Sequence, residues 1–253
     1  MESYSPANGE HDAPCFPNEV VEAGMDTPGH FTPDTFAFLR ALAKNNDRDW
    51  FKANKERFEE EVKEPAIRFI LDFAPHLKGI SPHFRADPRG NGGSLFRIYR
   101  DTRFTKDKRP FKTHTGIQFR HDQGKDAHAP GFYLHLEPKG CFVGVGIWRP
   151  DSKTLRKIRE GLVNDVRGWK KVMAARAFRD RFQLSGDVLA RPPRGFDPKH
   201  PLVEDLKRKD FIAIAPLSDS AVVEPAFLDE FVGICRAGKP LVAFLCEALE
   251  VPF

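Results

Sequence analysis

Cysteine is scarce in this chain. Its four cysteines, Cys15, Cys141, Cys235 and Cys246, form no CxxC pair, so the sequence offers neither a disulfide framework nor a zinc-ribbon spacing. A reducing compartment is implied, and the expected location is the cytoplasm. Positive charge is missing from residues 1–30, which carry Glu2, Glu10, Asp12, Glu19, Glu22 and Asp26 but no Lys or Arg, a composition that argues against a secretory signal. No apolar run approaches the roughly eighteen residues of a membrane span, so no membrane partner is expected. Hydroxyl- and indole-bearing rings are few, with 3 Tyr and 3 Trp against 23 Phe, which favours dry packing and makes each Tyr and Trp informative. There is no Walker loop, dinucleotide fingerprint or GxSxG elbow, and His121, His128 and His200 lack ligand spacing. No cofactor and no metal site are therefore expected.

Charge is present but concentrated. Between Ser94 and Arg120 stand the cations Arg97, Arg100, Arg103, Lys106, Lys108, Arg109, Lys112 and Arg120 against only Asp101 and Asp107, a local net charge of +6 in a chain whose total is +4. Phosphate recognition asks for guanidinium and ammonium groups on a rigid frame, and a loop held between two strands is such a frame.

Residues 1–30 show neither a helical nor a strand period and are expected to be an acidic, disordered tail; residues 31–253 are expected to form a single globular domain. Order begins at Phe31-Thr32-Pro33, where Thr32 can cap a helix, Pro33 suits its first position and Phe31 can staple back. Asn45-Asn46-Asp47 ends that helix and can cap the next. The apolar face Trp50, Phe51, Phe58 and Val62 then resumes after Pro65, which fits two helices or one kinked helix. Leu95 to Arg100 and Phe111 to Arg120 read as strands, the second with Lys112, His114, Gln118 and Arg120 on one face.

Gly131 to Trp148 reads as a hairpin turning at Pro138-Lys139-Gly140 through a glycine bulge. That register puts Tyr133, His135 and Glu137 on the face of Val143 and Val145, and a slip of one residue would put His135 over Gly144 and Gly146 instead. Glycines inside a strand mark a close approach, here most simply by a packed helix. Helical periods return from Asp151, Phe211 to Ala215 reads as a buried strand, and the last helical stretch is expected to break at Gly238-Lys239-Pro240. Strands flanked by helices at both ends give an α+β fold: an antiparallel sheet of about four to six strands covered by helices from both ends of the chain, in one domain.

Several of these stretches together resemble one family. Phe31 to Leu39, Asn45-Asn46 and Trp50-Phe51 are followed by Arg100-Asp101-Thr102-Arg103-Phe104-Thr105-Lys106-Asp107-Lys108-Arg109-Pro110-Phe111-Lys112. Tyr133-Leu134-His135, the glycine pair ending at Trp148, Pro193-Arg194-Gly195-Phe196 and Pro240-Leu241 to Leu249 come after. In this order they resemble the uncharacterised protein family catalogued as domain of unknown function 2461, over about residues 31 to 251. The resemblance implies one continuous domain and brings no activity, cofactor or catalytic residue with it.

The leading functional expectation is binding of a phosphate-bearing ligand, a nucleotide or nucleic acid, through the basic strand-loop-strand at 97–114. Arg100, Arg103, Lys106 and Lys112 would meet the phosphate, with Tyr133, His135 and Trp148 as neighbours. The alternatives are an enzyme acting on a phosphorylated or carboxylated small molecule with His135 as acid/base, or a protein-interaction module that uses the basic loop.

Overall fold

A computed structural model of the chain describes residues 29–90, 92–124 and 129–253. The expected tail up to residue 28 lies outside the described residues. The first described residues are already tied down: His30 Nε2 lies 2.8 Å from Asp72 Oδ2, and Phe31 is buried against Phe69.

Helix α1 (Pro33–Lys44) starts as its local chemistry dictates. Thr32 accepts from Asp34 N–H, Thr35 Oγ1 accepts from Thr32 N–H, and Pro33 occupies the first turn, where its missing donor costs nothing. Asp47 caps α2 (Arg48–Ala53) by accepting from Trp50 N–H at 2.8 Å. The chain continues through α3 (Lys55–Phe58), a π-helical turn at Glu59–Lys63, and α4 (Glu64–Ile80). Pro65 falls in the first turn of α4, so the change of winding at the π turn interrupts the helical run, and no proline kink is needed.

Five strands follow: β1 (Thr115–Arg120), β2 (Gly131–Leu136), β3 (Phe142–Ile147), β4 (Gln183–Ser185) and β5 (Phe211–Pro216). They form one sheet in the order β1-β2-β3-β5-β4, every neighbour antiparallel. Between them lie α5 (Ser152–Asn164), α6 (Val166–Ala174), α7 (Arg176–Arg179) and α8 (Val203–Leu206), and the chain closes with α9 (Asp219–Val223) and α10 (Phe227–Ala248). This is an α+β fold with an antiparallel sheet, as the strand and helix order implied.

One face of the sheet is buried against α4 and α10. Ile117, Phe119, Phe132, Leu134, Val143, Val145, Phe211 and Ala213 point into this core, where Phe69 stacks on Phe73 and Phe227 and meets Phe231 edge-on, and the rings of Phe69, Phe73, Phe227 and Phe231 have centroids 4.8–6.3 Å apart. Each such buried Phe is worth about 1.5–3 kcal/mol of transfer free energy, which makes this the principal source of stability. Helix α10 runs unbroken through Pro240, contrary to the break expected there. The tertiary contact overrides the local signal: a Cβ on Gly238 would stand 2.7 Å from Val145 Cγ1, so the glycine lets the helix lie close on β3, while Pro240 frees only the carbonyl of exposed Arg236.

A second, smaller core holds the basic hairpin. Phe38, Leu39, Leu42, Phe51 and Val62 from the N-terminal helices enclose Ile98 and Phe111, with Phe51 stacked on Phe111 at 4.1 Å. The expected strand at Leu95 to Arg100 is reduced to isolated bridges, Leu95 to Ile117 and Tyr99 to Phe111. Backbone bonds from Phe96 N–H to Gly116 O, Lys112 N–H to Ile98 O and Arg100 N–H to Pro110 O keep it beside the chain leading into β1.

The β2–β3 hairpin takes the other register. Leu134 faces Val143, Tyr133 faces Gly144 and His135 faces Phe142, so His135 lies over the glycine face and not beside Val143 and Val145. The cause is the turn: Gly140 N–H donates to Glu137 O at 2.8 Å and Lys139, with φ 64°, takes the left-handed position assigned above to Gly140.

Candidate functional site

The face of the sheet away from α10 carries a cavity of about 500 Å³. Its floor is Gln118 of β1, Gly131, Tyr133 and His135 of β2, Phe142, Gly144 and Gly146 of β3, and Ile212 and Ile214 of β5. Phe96, Lys112 and His114, from the base of the basic hairpin, form one wall, and Trp148 closes the far side. The glycines thus border a cavity, where a packed helix was expected; the helix lies on the other face. Gly144 has ample room, since a Cβ there would meet Phe142 and Tyr133 only at 3.7 Å. Gly146 has none: its φ is 115° and a Cβ would overlap the Phe211 carbonyl oxygen.

Polar groups gather at the end of this cavity nearest the β2–β3 turn. Tyr133 Oη and His135 Nδ1 are 2.9 Å apart, His135 Nε2 lies 3.4 Å from Glu137 Oε2, and Thr113 Oγ1 donates to Glu137 Oε1 at 3.3 Å. The His135 ring is fixed by stacking on Phe142 (4.6 Å, 14°) and has His114 at 4.4 Å on another side. Burial pushes the His114 pKa down to about 4, helped by nearby His135, and it lowers that of His135 while Glu137 pulls the other way. Both rings are held neutral more firmly than a free histidine. Burial, then Glu137, raises the Tyr133 hydroxyl, which stays protonated. Burial, then Arg97, lowers the Lys112 ammonium, whose Nζ donates to Arg97 O at 2.9 Å and sits 5.4 Å from the Phe96 ring centre.

Of the residues singled out in the sequence, Lys112, Tyr133, His135 and Trp148 come together around this cavity. Arg100, Arg103 and Lys106 do not. Arg100 lines a separate groove of about 370 Å³ with Arg48, Lys52, Lys55, Tyr99 and Thr102. Its guanidinium is bound to Asp107 at 2.7 Å, as is that of Arg109, while Arg103 is paired with Asp101 at 2.6 Å. Lys106 is exposed in the same loop, beside Phe104, which is 93% exposed.

Spacing alone did not reveal that His114, His135 and Glu137 place one potential metal-ligand atom each within 4.8 Å of one another. His114 and Glu137 lie one step beyond the last paired residues of β1 and β2, Thr115 and Leu136, so only the strand register brings them together. The available signal was the alternation Tyr133, His135, Glu137 facing a second histidine on the neighbouring strand. None of the described helices is long and apolar enough to cross a membrane.

No curated protein matches the chain. A family model described as conserved hypothetical protein (DUF2461) matches residues 34–244, a span that takes in all five strands and nearly all of α1 and α10. The chain belongs to that family.

Proposed function

We propose that the protein binds a small organic molecule with an apolar, ring-like body and one anionic group, phosphate or carboxylate, in the cavity on the open face of the sheet. The carrying observation is the make-up of the cavity wall: Phe96, Phe142, Trp148, Ile212 and Ile214 supply apolar surface, and Lys112 supplies a fixed cation beside two neutral imidazoles. Small-ligand sites are built this way, with a mainly apolar lining and a few polar groups that set orientation. Three of the cysteines, Cys141, Cys235 and Cys246, are buried and unpaired, which supports a reducing compartment, and we place the protein in the cytoplasm. Should turnover accompany binding, His135, between Tyr133 and Glu137, is the group to move the proton.

The test is calorimetry and thermal shift against aromatic and aliphatic carboxylates, sugar phosphates and nucleotides. Gly144→Leu projects a side chain into the cavity from a position with space for it, and Lys112→Ala removes the cation; each is expected to weaken binding at least tenfold in a folded protein. A ligand whose affinity neither variant changes refutes the assignment.

A second reading has its own observation. The groove lined by Arg48, Lys52, Lys55 and Arg100 has four cations and no carboxylate among its lining residues. It suits the phosphates of a nucleic acid, and Phe104 at the tip of the adjacent loop suits a stacked base. Oligonucleotide binding that fades steeply with salt and is lost in Lys52→Ala with Lys55→Ala would select it, because a polyanion releases many counterions and a buried small ligand few.

A further inference from the structure

We infer that His114, His135 and Glu137 form a binding site for a divalent transition-metal ion of the zinc type, with its open coordination position facing the cavity. Two imidazoles and one carboxylate are a donor set suited to zinc and its neighbours, and the three ligand atoms already lie within 4.8 Å of one another.

Two further features of the geometry fit an ion. The separation of His135 Nε2 and Glu137 Oε2 is 3.4 Å, long for a hydrogen bond between such groups. It is what two ligands on a common tetrahedral ion require, since atoms about 2.1 Å from the metal stand roughly 3.4 Å apart. The widest pair has to close by roughly 1.4 Å, within reach of a side-chain rotation by half-exposed Glu137 or by His114.

The second feature is the support behind the ligands. Tyr133 Oη holds His135 Nδ1 at 2.9 Å, so Nε2 is the nitrogen left to meet the ion, and Phe142 fixes the ring plane. Thr113 Oγ1 holds the other oxygen of Glu137. Partners of this kind orient ligands and raise their basicity in metal sites. One carboxylate leaves a dication with net positive charge beside Lys112, so the fourth ligand is expected to be an anion or a water that an anion displaces. The inference about the ion stands on these residues alone; only the nature of that fourth ligand rests on the proposed cavity ligand.

The test uses the full chain after chelator treatment, titrated with Zn²⁺ by calorimetry and with Co²⁺ by its visible absorption. One equivalent of tightly bound ion is expected, with a tetrahedral cobalt spectrum. His135→Ala should weaken it more than about 100-fold and Glu137→Gln, at a half-exposed position that tolerates the change, at least about tenfold. His83→Ala, which alters the separate group of His83, His121 and Asp122 at the other end of β1, should change nothing. Weak multi-site binding, or a site lost in His83→Ala but kept in Glu137→Gln, overturns the assignment. The two readings fail separately. Organic-acid binding by metal-free protein with no ion uptake sinks the metal site alone, and ion uptake with no organic ligand sinks the cavity reading alone.

Discussion

Asn46 is the residue on which the placement of the basic hairpin turns. Its side chain makes both available bonds to the backbone of Phe111, Nδ2 donating to the carbonyl and Oδ1 accepting from the N–H, each at 3.0 Å across 65 residues of sequence. Phe111 is 2% exposed, so these backbone groups have little access to water once the amide is gone. In Asn46→Ala two bonds of about 1 kcal/mol are lost and two polar groups are left poorly satisfied, for a total of about 2 kcal/mol after partial rescue by solvent at this half-buried position. For a domain of this size that is a fall in Tm of about 4–8 °C, with the denaturant m-value unchanged. Asn46→Asp keeps the acceptor for Phe111 N–H but sets an oxygen against the Phe111 carbonyl, so it should do no better than alanine. Urea denaturation followed by fluorescence and calorimetry measures both. Because Lys112 follows Phe111, the same variants should weaken any ligand that Lys112 holds. A loss under about 0.5 kcal/mol in Asn46→Ala would show that the small core of Phe51, Ile98 and Phe111 positions the hairpin without the amide.

Three other outcomes follow from the same structure. Gly146→Ala is expected to abolish folding or cost more than about 3 kcal/mol, whereas Gly144→Ala should stay within about 1 kcal/mol, as judged by soluble yield and melting curves. Arg159, 9% exposed, donates to the carbonyls of Leu206 and Arg208, so Arg159→Ala should cost about 2–3 kcal/mol by leaving them unmet, measurable by denaturation. The Arg103 side chain holds the Asp101 pKa down to about 2, so this pairing is complete above the ordinary carboxylate pKa and is lost as pH falls through about 2. An NMR titration of Asp101 should show that value, and Arg103→Gln should return it towards 4.

What could be read from the sequence was what is decided locally. The cap at Thr32, the proline after it and the acidic cap at Asp47 act within one helical turn, and each stands where its residue type put it. Alternation placed Lys112, His114, Gln118 and Arg120 on one face; the structure turns the first three to the cavity while Arg120 lies outside its lining, donating to Gly92 O, and Ile117 and Phe119 of the opposite face enter the core. Less could be read where a non-local contact decides. Nothing beside Pro138 says that Lys139 and not Gly140 will take the positive φ, yet that one choice moves His135 from the face of Val143 to the face of the glycines. The three residues of β4 are too few to show a period, and the close approach of Gly238 to Val145 and the exposure of Arg236, which let α10 pass through Pro240, exist only in the folded chain.

The concentrated charge that stands out in the sequence has a structural explanation that redirects the search for function. Both carboxylates of the loop are bonded to arginines within it, Asp101 to Arg103 and Asp107 to Arg100 and Arg109, and Lys108 donates to Thr102 O at 2.9 Å. These bonds fold residues 101–109 on themselves, so the loop can be rigid without glycine. Its base is held by a separate apolar core and by Asn46, and the base is what enters the cavity wall, as Phe96, Lys112 and His114. A tether of this kind fixes Lys112 and His114 against a sheet whose own residues, Tyr133, His135 and Phe142, are fixed by strand pairing. Groups held in advance lose little entropy on meeting a ligand or an ion, and that preorganisation, more than the net charge, marks this end of the sheet as the place where chemistry is to be sought.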